Sequence, residues 1–229
     1  MVKVSILDFI TKGIQILVQE RSPRVKGLDP SKLSEDSTVH ADEWPSEAWA
    51  AGWGEAATVT HSSGYSIVPT GLWSPEPVLV RGEYEDIWKH IKNQLRRPVK
   101  DAGGLVVWGQ PGIGKLSFLQ FALAKAFERK YPVALCNRNG SLYFFSEHGP
   151  QLIPLAALDS CVLPDNTLVL YDSHGSGEPP SNFTDPESTA FVVQAASPRV
   201  TRWNGWRKRR GAHDWTMDLW AEKEIVAAK

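Results

Sequence analysis

The chain has 229 residues, a formal net charge of −1, and 42% hydrophobic against 22% charged residues. That length builds one sizeable domain with extensions, and the near-zero charge excludes a global field that would draw in nucleic acid or a membrane surface. No apolar run reaches the length of a membrane span.

Residues 1–20 place Ile6, Ile10, Ile14 and Leu17 on one helical stripe. Asp8 and Lys12 interrupt the apolar part and no small-residue cleavage site follows, so this stretch reads as an amphipathic helix docked on the domain or on a partner, not as a signal peptide or anchor. Residues 21–72 are a composition break, with Pro23, Pro30, Pro45 and Pro69 set among acidic and serine residues. They read as a linker or a loosely packed arm. Trp44, Trp49 and Trp53 within it either cover an apolar patch of the core, the commoner role, or bind a partner segment.

The main domain is expected over residues 73–229. Pro77 to Arg81 reads as a short strand, and Glu83 to Arg96 as an amphipathic helix with Tyr84, Ile87, Trp88, Ile91 and Leu95 on one side. Arg81 is a candidate to contact a nucleotide base and ribose. Asp101 to Gly104 is a turn into Leu105–Trp108, an apolar strand. Then follow Gly109, Gln110, Pro111, Gly112, Ile113, Gly114 and Lys115, and a helical stretch from Ser117 to Arg129 with Leu119, Leu123 and Phe127 on one stripe.

Strand, glycine loop, lysine and helix in that order form the context a phosphate-binding P-loop requires. Backbone N–H groups surround a polyphosphate only where the chain approaches it closely, which residues without Cβ allow. The helix adds its unpaired N–H groups and positive dipole end. Lys115 adds a compact charge for the outer phosphates. Leu116 stands where a Ser or Thr normally ligates Mg²⁺. Ser117 lies one residue on, rotated by about 100° around the helix, and is a poor substitute.

Pro132–Cys136 is a second buried strand. Ser141–Phe145 and Gln151–Ile153 read as a small hairpin or strand pair. Thr167–Tyr171 is a third buried strand, and it ends in Asp172. An acidic residue closing an apolar strand is the Walker B pattern, in which the carboxylate holds Mg²⁺ directly or through water. Ser173 stands where many hydrolysing enzymes carry a Glu that orients water. Residues 175–186 form a polar loop at the mouth of the site, and Glu178 in it is a candidate substitute for that Glu. Ala190–Ala196 is a fourth buried strand. Ser197 or Arg199 after it is placed to sense a γ-phosphate.

Arg202–Arg210 reads as a basic, tryptophan-containing helix. It either binds nucleic acid or is a solvated face whose Trp203 and Trp206 point inward. The second is favoured because the chain as a whole is not basic. Trp215–Leu219 is a fifth strand, and a helix starts at Ala221. The two cysteines, Cys136 and Cys161, sit in apolar surroundings, which suggests a reducing, intracellular compartment.

The ordered set WSPEPVLVRGEYEDI, GQPGIGK, LVLYDS, SPR and WRK…WTMDLW…EI resembles the P-loop module of Crinkler-type proteins of fungi and oomycetes, which are related to the retrotransposon hot spot proteins of trypanosomes. The likeness runs from about Trp73 to Ile225. It implies an ASCE-type core similar to the AAA and STAND classes, with Gly109, Gly112, Gly114 and Lys115 on the phosphates, Asp172 as the Walker B acid and Arg199 near the sensor position. Against the family pattern, the chain stops where a helical lid is expected, and Leu116 and Ser173 weaken the case for hydrolysis.

The expected fold is therefore α/β, a mainly parallel sheet of about five strands with helices on both faces. The expected function is ATP or GTP binding with weakly held Mg²⁺ and slow or absent hydrolysis, working as a nucleotide-gated switch. The alternative is a degenerate module that binds a protein or nucleic acid through Trp203, Trp206 and Arg207 to Arg210. Besides nucleotide, a protein partner is conceivable on this reading, whereas nucleic acid and membrane are not expected.

Overall fold

A computed structural model describes residues 44–60, 64–69, 76–97, 103–136, 142–153, 157, 163–173 and 177–227. The expected N-terminal helix, the proline-rich stretch before Trp44, the turn residues Asp101 and Ala102, and Cys161 lie outside the described residues.

Strand β4 (Gly104–Trp108) leads into the glycine loop and is covered on both faces. Leu105 and Val107 enter one buried cluster while Val106 enters the other. A strand covered on both faces needs an unbroken apolar run, which explains the sequence LVVW. Strands β5 (Val133–Cys136), β8 (Leu168–Asp172) and β9 (Phe191–Ala196) follow the same rule. Together with β6 (Leu142–Ser146), β7 (Gly149–Ile153) and β10 (His213–Thr216) they make one seven-stranded sheet in the order β10-β4-β9-β8-β5-β6-β7. The first five strands of that order run parallel.

The expectation of about five strands is corrected here. The five parallel strands are present, but the sheet is mixed. The β6–β7 hairpin does not stand apart: Leu142–Phe145 pairs antiparallel with the open edge of β5, and β7 closes the far side. The fifth parallel strand is also shifted. It spans His213–Thr216 rather than Trp215–Leu219, with Trp215 opposite Val107, and the chain leaves the sheet at Met217.

On one face lie α2 (Gly82–Leu95) and α3 (Lys115–Glu128). Tyr84, Ile87, Trp88 and Ile91 of α2 and Phe118, Phe121, Ala122 and Phe127 of α3 share a core with Leu105, Val107, Leu135 and Leu170. The other face carries α4 (Ser181–Thr184) and α5 (Asn204–Arg210), where Phe183, Trp203 and Trp206 cover Val106, Ala134, Val169 and Val192. A final short helix, α6 (Glu222–Ala227), follows β10.

The described part of the expected arm carries structure of its own. Helix α1 (Trp44–Gly52) precedes β1 (Val59–Thr60) and β2 (Ser66–Val68), which form a small antiparallel sheet with β3 (Val78–Leu79). The tryptophans cover the core. Trp44 meets Tyr143 edge-on with ring centroids 5.0 Å apart, Trp53 packs on Phe127, and the Trp49 indole N–H donates to the Ser146 carbonyl at 2.8 Å. Each such aromatic is worth on the order of 2 kcal/mol of burial.

Candidate functional site

In chain order, the five parallel strands lie fifth, first, fourth, third, second across the sheet. The first and second are therefore parted by two later strands, and α/β sheets with such a change of strand order bind ligands at the carboxyl edge. Trp108 pairs with Ala196 and Asp172 with Ala195. The residues after β4, the end of β8 and the residues after β9 thus meet along one edge. Gly109 to Gly114, Asp172 and Ser197–Arg199 all lie there.

The loop between β4 and α3 is shaped by its glycines. Gly112 and Gly114 have φ of +78° and +102°, in the region where L side chains are strained. At Gly112 an added Cβ meets no atom within 4 Å, whereas at Gly114 it runs into the Tyr84 hydroxyl. Gln110 and Pro111 are exposed, and Ile113 is buried in the core rather than turned to the ligand side.

Among the described residues, the N–H groups of Gly112, Gly114, Lys115 and Leu116 find no protein acceptor; the first bond of α3 runs from the Phe118 N–H to the Gly114 carbonyl at 2.8 Å. The Lys115 ammonium folds back over the loop and donates to the carbonyls of Gly109 and Gln110, each at 2.7 Å. Burial pulls its pKa below the usual lysine range, and the Asp172 carboxylate pulls it partly back. Unpaired amides, a helix N-terminus and a half-buried cation around a glycine loop suit an anion with several oxygens.

Asp172 is half-buried at the end of β8. Its charge is felt both by Lys115 and by Cys136 on the neighbouring strand, whose thiol is pushed up to about 11, mainly by burial. Leu116 and Ser117 are half-buried on the first turn of α3, and the Ser117 side chain hydrogen-bonds the Tyr84 hydroxyl. Ser173 is 3% exposed, and its Oγ donates to the Ala195 carbonyl at 2.6 Å. The position after Asp172 therefore points into β9, not toward water. Arg199 is exposed, just before a short 3₁₀ turn at Val200–Arg202.

Two candidates from the sequence have other work. Arg81 is only 2% exposed. It donates to the carbonyls of Ile113 at 3.1 Å, Asp218 at 3.0 Å and Leu219 at 3.2 Å, and pairs with Glu83 and Glu224. Glu178 accepts the Trp206 N–H at 2.9 Å, capping α5, and pairs with Arg209 at 2.9 Å. The other residues around the loop, Tyr84 and Trp220, were legible only as a helix stripe and as part of WTMDLW. Tyr84 donates to the Gly114 carbonyl at 2.9 Å and Trp220 to the Ile113 carbonyl at 3.1 Å.

The basic run Arg202–Arg210 breaks at Trp203 into the 3₁₀ turn and α5. Trp203 and Trp206 face the core, and the Trp206 indole donates to the buried Gln194 side chain. Arg207 pairs with Asp214 at 3.1 Å. Arg210 is buried and donates to the carbonyls of Asp185, Ser188 and Ala190 at 2.9, 2.7 and 2.9 Å. Three of the four side chains from Arg207 to Arg210 thus have partners within the fold.

The chain matches no protein-family model and no curated protein. Among the described residues no helix is long and apolar enough to cross a membrane.

Proposed function

We propose that the chain is a P-loop domain that binds ATP or GTP, comparable to the nucleotide-binding module of Crinkler-type proteins, with slow or absent hydrolysis. One observation carries the reading. The run Gly109–Lys115 joins β4 to α3 at the carboxyl edge of the sheet, with the Gly112, Gly114 and Lys115 amides unpaired among the described residues and the lysine resting on loop carbonyls.

On this reading the loop amides and the α3 dipole hold the inner phosphates. Lys115 exchanges two carbonyl oxygens for phosphate oxygens, and the positive charge it already places there is close to Asp172. Arg199 is the exposed cation at the same edge. Mg²⁺, when bound, supplies charge neutralisation between the phosphates. Asp172 is the protein residue that would hold it, and water would replace the oxygen that Leu116 lacks, since Mg²⁺ commonly uses one or two carboxylates and keeps several waters. On this reading the domain works as a nucleotide-gated switch.

Thermal melts with ATP and GTP, with and without Mg²⁺, test the reading. Ligand at about 100 times Kd stabilises the fold by about 2.7 kcal/mol, and Lys115→Ala removes most of that gain while the ligand-free melt stays in place. No shift with either nucleotide at millimolar concentration would overturn the reading.

A further inference from the structure

The Ile113 carbonyl receives two donors, the Arg81 guanidinium and the Trp220 indole, each at 3.1 Å. A carbonyl oxygen has two lone pairs, so both are taken. A peptide unit is planar, and the chain contains no cis bond among its described residues. In a trans unit the N–H of one residue points opposite to the carbonyl before it. Fixing the Ile113 carbonyl toward Arg81 and Trp220 therefore fixes the Gly114 N–H away from them. That N–H meets no acceptor among the described residues.

We propose that Arg81 and Trp220 are positioning residues of the phosphate cradle, which aim the Gly114 N–H and so make the stretch from Asp218 to Glu224 part of the site. The inference rests on the nucleotide-binding reading of the glycine loop. Glycine at 114, with φ of +102°, leaves this peptide free to turn over unless something outside the loop holds it. The next peptide needs less help, because the Gly114 carbonyl already accepts the Phe118 N–H, the first bond of α3. Tyr84 adds a second donor to a group that the helix has set.

The holders are themselves held. The Arg81 guanidinium lies over the Trp220 ring, 5.1 Å from its centroid, and it binds the Asp218 and Leu219 carbonyls and the Glu224 carboxylate. Glu224 also accepts the Ala221 N–H at 2.8 Å. An amide oriented before the anion arrives spares the ligand the cost of ordering it.

The test is calorimetric titration of wild type, Trp220→Phe and Trp215→Phe with ATP and with inorganic triphosphate. Trp220→Phe keeps an aromatic ring and removes the donor to Ile113. Trp215→Phe removes an indole donor from β10, just before that stretch, its bond to Glu83 at 3.1 Å, and that bond does not touch the loop. The expected result is a loss of roughly 3- to 10-fold in affinity for both ligands in Trp220→Phe, the worth of one hydrogen bond, with Trp215→Phe close to wild type although both variants melt earlier. Equal losses in the two variants, or none in Trp220→Phe while wild type binds, overturn the inference and leave the nucleotide reading standing. A wild type that binds neither ligand overturns both.

Discussion

At the scale of single residues, the environment of the glycine loop makes sharp demands. Gly114→Ala combines positive φ with a collision against the Tyr84 hydroxyl, and urea unfolding is expected to show a loss of about 1–3 kcal/mol. Burial pushes the Tyr84 phenol from 10.0 up to about 12. The folded chain then keeps a proton that the unfolded chain has lost, so stability falls as pH rises between about 10 and 12. Tyr84→Phe is predicted to flatten that part of the pH–stability curve, leaving the similar but lower-lying fall from Cys136. The raised Cys136 thiol is also expected to resist alkylation at neutral pH until the chain unfolds. The glycines, Lys115 and the acid closing its strand were legible because each belongs to a contiguous pattern. Arg81 and Trp220 were not seen as partners of the loop because they reach Ile113 from 32 and 107 positions away. That Ser173 turns its hydroxyl into β9 was not legible, because sequence does not tell which way a residue at a strand end points.

Among the elements, α5 shows that one basic run holds side chains with different surroundings. Its arginines resemble a phosphate-binding patch in sequence, yet Arg210 ties the Asp185–Ala190 loop together through backbone carbonyls. Arg210→Lys is predicted to destabilise by about 2–4 kcal/mol, because one ammonium cannot span those carbonyls. Lys208→Ala, on the exposed side, is expected to stay within about 0.5 kcal/mol of wild type. Chemical denaturation of the two variants checks both. The helices α2 and α3 and the strands β4, β5, β8 and β9 were legible from periodicity and from apolar runs. The edge hairpin and the start of β10 were less so. Which edge a strand joins, and at which residue it begins to pair, is decided by distant partners: β6 by Val133–Cys136, β10 by Leu105–Trp108.

For the molecule as a whole, the parallel core brings the loop, Asp172 and Arg199 to one edge, and the departures from a hydrolytic site sit beside them. Leu116 offers no oxygen, the Ser117 side chain is engaged with Tyr84, and Ser173 is buried against Ala195. Losing one positioning or stabilising group lowers a rate by about 10²-fold, so phosphate release is predicted to fall well below the roughly 1 s⁻¹ of working enzymes. Ser173→Glu is not expected to restore it, since the new carboxylate enters a buried site and destabilises the fold. The measurement that bears most directly on the central claim is an equilibrium titration of ATP and GTP, with Mg²⁺, into wild type and Lys115→Ala. Saturable one-site binding to wild type, weakened at least about tenfold by the substitution as a charged phosphate contact is lost, is the predicted result. No binding by wild type, or equal binding by both proteins, would contradict the account.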